Sequence, residues 1–267
     1  MIIDIYNQLI KKRKLTALYV LSAIIITYFA SWFPDFENLI GIEGARISSV
    51  VSFGALNGMI LGPFWGMIVS FTAVMGHTLV RGEGTPDTFH LLTPFFVAMS
   101  SVVAGLCITR KEKVAMAVFG VLILLWYITP TGRTIYYYPW FHVVILASFL
   151  IFYYKFKNRD ANIFKFTFLL LAALMAILAD HLAGSISAAI LFDLPPQMFA
   201  SVITIYPIER TTLAFAAAAI TFLLIVALQN TLMESETFQD KVEEAKNDDV
   251  LSYVNDVKDM LEEDNNK

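Results

Sequence analysis

The sequence predicts an all-α protein, a polytopic bundle of about eight membrane-spanning helices with both termini in the cytoplasm. Hydrophobic residues make up 57% of the chain and charged residues only 16%, whereas soluble domains carry about 25% charged residues. The charges are also bunched, and they leave uncharged runs such as residues 15–34, 47–80 and 114–132. About 20 apolar residues in a helix cross the ~30 Å hydrocarbon core of a bilayer. We therefore expect a multi-pass protein of the cell membrane, surrounded by the lipid bilayer, with no nucleic-acid partner.

Basic clusters set the predicted orientation, because cytoplasmic loops carry an excess of Lys and Arg. Three clusters are assigned to the cytoplasm: KKRK at 11–14, RKEK at 110–113, and the Lys and Arg residues between 155 and 165. Spans that alternate between these loops are predicted at residues 15–33, 47–80, 90–109, 113–130, 139–155, 165–190 and 208–231.

The apolar stretch 47–80 raises a question of its own, because it contains a Gly-Pro pair at 62–63. The assigned orientation places both of its ends on the outer face, so it must cross the membrane twice. Pro63 lacks a backbone N–H and Gly62 tolerates left-handed geometry, so the pair can end one helix and start the next. We predict a helical hairpin here; the alternative is one strongly tilted, kinked helix.

The chain divides by charge into a transmembrane helical domain, residues 1–232, and an acidic cytoplasmic tail, residues 233–267. The tail from Glu234 onward holds 12 of the 23 acidic residues but only 4 of the 19 basic ones. We expect this tail to be partly helical or disordered.

Ionisable side chains at membrane depth are costly, so each one is a candidate site residue. The segment ILADHLAGSISAAI places Asp180 in the outer half of its helix, and His181 and Ser185 share a face one turn apart. Asp180 needs a partner from another helix, either Arg210 or Arg81. A buried Asp–Arg lock is the structural alternative to a ligand-binding role.

Other polar groups are predicted to gather toward the same outer half, which suggests a pocket open to the outside. Glu209 opens the final helix, where it complements the positive end of the helix dipole, and this capping role is its alternative. The candidate substrate-binding residues are Asp180, His181, Ser185, Arg210, Glu209, Asn57, His77, Arg81 and His90.

Two segments resemble the substrate-binding S components of energy-coupling factor (ECF) transporters. SFGALNGMILGPFWGMIVSFTAVMGHTL is similar to the second and third helices of that family, which a GPxxG-type turn joins. ILADHLAGSISAAILFDLPPQMFASVITIYPIERTTLAFAAAAI is similar to its last two helices. The resemblance implies a six-helix core, here with an additional hairpin at 113–155. It also implies binding of a vitamin or related small metabolite, with a membrane coupling subunit and a pair of ATPases as partners.

The leading functional hypothesis is therefore a solute-binding importer subunit without catalytic residues or cofactors. The metal-binding N-terminal motif of the cobalt and nickel branch of the resembled family is absent, so we expect no metal substrate, and we assign no metal-binding residues. An unrelated permease or structural membrane protein is the main alternative. An intramembrane enzyme using Asp180, His181 and Ser185 is a further one, although AGSIS lacks the GxSxG context of a nucleophile elbow.

Overall fold

The computed structural model describes residues 13–32, 36–37, 46–47, 49–80, 88–156, 159 and 161–227. Two compact units are distinguished, Met1–Leu223 and Leu224–Lys267, and the second is described only over residues 224–227. The predicted acidic tail and Arg81 lie outside the described residues.

Helices make up nearly all of the described chain. In order they are α1 (Arg13–Ala30), α2 (Val50–Val80), α3 (Thr88–Ile108), α4 (Glu112–Ile128), α5 (Pro130–Thr134), α6 (Trp140–Phe156), α7 (Asn162–Leu191), α8 (Pro196–Ser201) and α9 (Tyr206–Ala227). Seven of these helices correspond to the apolar runs of the sequence. Among the described helices, α3, α7 and α9 are each long and apolar enough to cross a membrane, and α2 meets the same criterion when its 31 residues are taken together.

One small departure from an all-α fold lies between α1 and α2. Strands β1 (Phe36–Glu37) and β2 (Arg46–Ile47) form an antiparallel pair in which Phe36 opposes Ile47. Two-residue strands leave no periodic pattern for a sequence to display, since alternation needs four or more residues.

The hairpin predicted at Gly62-Pro63 is confirmed. Gly62 has φ 78° and ψ 179°, a conformation that is open to glycine and strained for other residues. A Cβ on Gly66 would lie 2.8 Å from the Cα of Gly58, whereas eight residues of a continuous helix span about 12 Å. The chain therefore reverses, and a single kinked helix is excluded.

The first arm of this hairpin is shorter than the sequence suggested. It begins at Val50 and reaches the turn after residue 61, which gives about 18 Å of helix. Residues 63–80 form the second arm, about 27 Å long. The first arm alone does not match a ~30 Å hydrocarbon core.

Close backbone approach holds the hairpin against α3. A Cβ on Gly58 would lie 2.8 Å from the Cα of Ser101, and a Cβ on Gly105 would collide with the Gly62-Pro63 backbone. Small residues allow such contacts, which replace the hydrophobic driving force that lipid does not provide. Because Gly105 is near the end of α3, the turn lies at the same end of the bundle as the short α3–α4 connection.

α7 packs against α2, α3, α4 and α6. Its Gly184 faces Phe89 and Phe96 in the first half of α3, so the end of α7 lies beside the start of α3. The opposite end of the bundle from the Gly62 turn therefore contains the end of α7 and the starts of α3 and α6. We call this the site end.

Candidate functional site

The candidate site forms where α6, α7, α9 and one connecting segment meet at the site end, with Trp126 of α4 packed against them. α7 contributes Asp180, His181 and Ser185 from its second half. α6 contributes His142 in its first turn, and α9 contributes Arg210 near its start. Tyr138 comes from the segment between α5 and α6, whose turn is closed by backbone hydrogen bonds from Tyr138 to Ile135 and from Trp140 to Tyr137.

Asp180 and Arg210 form the ion pair that the sequence predicted as one of two possibilities. The Nη1 atom of Arg210 lies 3.7 Å from Oδ2 of Asp180, and both side chains are about nine-tenths buried. The separation is longer than a charge-assisted hydrogen bond, so the contact is electrostatic. The Arg210 guanidinium keeps Nε and Nη1 without a hydrogen-bond acceptor among the described residues.

A chain of hydrogen bonds runs through the centre of the site. The phenol oxygen of Tyr138 lies 3.0 Å from Oγ of Ser185 and 3.2 Å from Nε2 of His181. The other ring nitrogen of His181, Nδ1, lies 3.4 Å from Nε2 of His142. The hydroxyl of Ser185 donates to the His181 carbonyl at 2.8 Å, and Tyr206 donates to the Tyr138 carbonyl at 2.8 Å.

Flat rings stack along this chain. The His181 ring stacks on His142 at 5.5 Å between centroids and on Tyr206 at 4.7 Å. Trp126 and Phe199 pack against Tyr138 at 4.7 and 5.4 Å. Such offset and edge contacts hold the rings in fixed orientations around the hydrogen-bonded chain.

Tyr138 stays a neutral phenol in this setting. Burial raises the pKa of Tyr138 to about 12, and the opposing effects of the Ser185 hydrogen bond and the Arg210 charge are smaller. The phenol therefore keeps a single hydrogen that it can donate.

The geometry of Ser185, His181 and Asp180 differs from that of a catalytic triad. The Ser185 hydroxyl gives its hydrogen to the His181 carbonyl, and Tyr138 stands between the Ser185 oxygen and the His181 ring. Asp180 faces Arg210 rather than the His181 ring. In a triad the base would take the proton of the serine directly.

Glu209 lies beside Arg210, with one carboxylate oxygen, Oε2, buried and without a hydrogen-bond donor in the described part of the chain. Its position in the first turn of α9 agrees with the capping alternative, and its acceptor also faces the protein interior. The structure thus brings together five of the nine predicted residues: Asp180, His181, Ser185, Arg210 and Glu209.

Asn57 belongs to a separate polar cluster. Its amide nitrogen donates to Thr27 and to Ser70, each at 3.0 Å, and Ser70 lies 2.7 Å from Ser101. These side chains are all buried, and they join α1, both arms of α2, and α3. Asn57 is five residues from the Gly62 turn, so it lies toward the end of the bundle opposite the site.

His77 and His90 lie on the second arm of α2 and at the start of α3. The His77 ring packs edge-on against Trp32 at 4.8 Å, near the ends of α1 and α2. His90 is exposed in the first turn of α3.

Four residues of the site were not singled out from the sequence: Trp126, Tyr138, His142 and Tyr206. Three of them lie in or beside the hairpin 113–155, whose aromatic clusters the sequence analysis did not connect with the site. His142 was the available signal, because it is an ionisable side chain at the start of an apolar run.

The donor set of the site suits an organic solute. It offers a guanidinium, two carboxylates, hydroxyls and stacked rings, which can orient a small molecule by hydrogen bonding and ring contact. Among the described residues, no group of three or more His, Cys, Asp and Glu side chains is arranged to hold a metal ion.

Comparison with known proteins shows a similarity to a protein of another organism. The uncharacterized protein MJ0923 of Methanocaldococcus jannaschii is 29% identical over 237 residues, which cover 85% of this chain and 75% of that protein. No family model matches the chain. No solved structure matches it.

Proposed function

We propose that this protein is the membrane-embedded solute-binding subunit of an ECF-type importer, which captures a vitamin or similar small metabolite from the outer side of the cell membrane. The observation that carries the proposal is the convergence of charged, hydroxyl and aromatic side chains on Arg210 at one end of a helical bundle. The confirmed reversal at Gly62-Pro63, the feature of the resembled family, also supports it.

The charge pattern supports the direction of capture. The site end is opposite the Gly62 turn and the α3–α4 connection, which contains the basic cluster at 110–113. Under the positive-inside rule that connection is cytoplasmic, so the site faces outward. ATP would be used by partner subunits, through a membrane coupling subunit and an ATPase pair.

The test is to recover the solute. We expect mass spectrometry of the purified protein to detect a bound small molecule, and the Asp180→Ala and Arg210→Ala variants to lose it. Both substitutions leave a buried charge without its partner, so their membrane insertion and unfolding must be checked in parallel. Arg133→Ala is the matched control, because Arg133 is an exposed cation at the same end of the bundle.

Unchanged solute retention in both variants would contradict the proposed site. Co-purification with an ATPase pair separates an importer subunit from an independent permease or a structural protein.

A further inference from the structure

The hydrogen bonds of the site can be given a direction by counting hydrogens. The Ser185 hydroxyl has one hydrogen, which it donates to the His181 carbonyl. With the Ser185 hydrogen on that carbonyl, the Tyr138 phenol, 3.0 Å from the Ser185 oxygen, is the donor of the bond between the two hydroxyls. Having used its one hydrogen, the phenol oxygen accepts from Nε2 of His181 at 3.2 Å.

The same count continues through the two histidines. A neutral imidazole carries one N–H, so a His181 ring that donates through Nε2 has a bare Nδ1. This Nδ1 must then accept the hydrogen on Nε2 of His142, 3.4 Å away. The hydrogen of a neutral His142 is thereby used, and its own Nδ1 is a bare acceptor.

In this arrangement the bare Nδ1 of His142 needs a hydrogen-bond donor. Nδ1 of His142 is buried and has no hydrogen-bond partner among the described residues. The Leu178 carbonyl, which is an acceptor, interacts with the His142 ring and favours a hydrogen on it. A buried polar atom without a partner is destabilising, and one added proton would give the ring a donor to offer.

Arg210 opposes that proton. Its positive charge acts on both histidine rings, and it is the principal cation facing them from α9. Asp180 on α7 partly offsets this charge, Glu209 lies beside Arg210, and Tyr138 and Tyr206 face the rings as phenols. An anion that accepts hydrogen bonds from the open Nε and Nη1 groups of Arg210 would offset the remaining positive charge.

We propose that the site binds an anionic solute together with one proton, and that the His142–His181 pair shares this proton. The proton forms an N–H bond at Nδ1 of His142. Breaking the Nε2–H bond of His142 and forming one at Nδ1 of His181 then moves the positive charge to the second ring. The solute half of this proposal rests on the proposed function, whereas the histidine half does not.

The test uses nitrogen-15 NMR of the histidine-labelled full chain in detergent, where the protein has only four histidines to assign. In the solute-free wild type at pH 7, we expect both rings to be neutral with hydrogen on Nε2. Arg210→Gln removes the opposing charge, as an anion would, and should raise the ratio of protonated to neutral ring at one pH by about tenfold or more. Arg210→Lys keeps the charge and should behave as the wild type.

A His181 ring carrying its hydrogen on Nδ1 in the wild type would overturn the proposal, and this measurement needs no variant to fold. An unchanged ratio in Arg210→Gln would overturn it too. A retained solute without a carboxylate, phosphate or other anionic group would refute the solute half. Failure to retain any solute would count against the proposed function and the solute half, while the histidine spectra would still decide the proton half.

Discussion

At the scale of single residues, buried polar groups explain most of what distinguishes this protein from a plain apolar bundle. Lipid offers no hydrogen bonds, so a polar side chain at membrane depth must find a partner within the protein. Asp180 does so with Arg210, and Asn57 with Thr27 and Ser70. Arg210 keeps hydrogen-bond donors open beside Asp180, so this pair is suited to binding a ligand. Asn57 uses both of its amide hydrogens, so its cluster is suited to holding the helices together.

We predict that Asn57→Ala lowers the free energy of unfolding by about 1 to 3 kcal/mol, because it removes two buried hydrogen bonds and leaves their acceptors inside the bundle. Equilibrium unfolding in mixed detergent micelles measures this change. Ser148→Ala is the control, since Ser148 is half-buried and donates to the Val144 carbonyl of its own helix. A loss no larger than that of the control would contradict the assignment of Asn57 to a structural cluster.

The sequence could predict the Asp180 partner but not the full site, for a residue-level reason. A buried carboxylate in a membrane-spanning helix is stabilised by a positively charged partner, and few Lys and Arg side chains lie near the outer ends of the spans. Tyr138 and Tyr206, by contrast, are residue types expected at membrane interfaces. Nothing in their spacing shows that they cross-link α7, α6 and α9, because those contacts join residues up to 68 positions apart.

At the scale of elements, hydrophobic runs located the helices well because a long uncharged run has only one stable form in lipid. The predicted spans 165–190 and 90–109 correspond to α7, Asn162–Leu191, and α3, Thr88–Ile108. The ends of the α2 arms were harder to predict. Gly62 determines the position of the turn, but no residue pattern in the sequence indicates that the first arm starts at Val50.

The turn of α2 gives an element-scale prediction. Gly62→Ala should destabilise the protein by about 1 to 3 kcal/mol, because alanine is strained at φ 78° and ψ 179°. Thermal unfolding of the purified variants measures the effect. Gly76→Ala is a control within the same element, where an added Cβ would meet its nearest atoms, in Tyr28, at an ordinary 3.7 Å. Equal stability of the two variants would show that the turn is not strained.

At the scale of the whole molecule, the two ends of the bundle differ in chemistry. The site end contains the Arg210 cluster and its stacked rings. The opposite end contains the Gly62 turn and the basic connection between α3 and α4. Uptake from outside requires the site end to face outward, as the positive-inside rule predicts from the basic connection at the opposite end.

Cysteine labelling in intact cells tests that orientation. The chain has one cysteine, Cys107, which is buried and can be replaced by alanine to give a background without reactive thiols. Phe64→Cys reports the turn and Tyr136→Cys the site end, since both side chains are at least 60% exposed. α4, which leads from the turn end toward Tyr136, is about 25 Å long, so the two thiols should lie on opposite faces.

An impermeant maleimide should label Tyr136→Cys in intact cells and Phe64→Cys only after the membrane is opened. Val121→Cys, about half-way along α4 and 53% exposed, serves as the lipid-facing control and should react poorly in both conditions. The reverse pattern would turn the site toward the cytoplasm. Capture from outside would then fail, even though the Arg210 cluster and its geometry would remain.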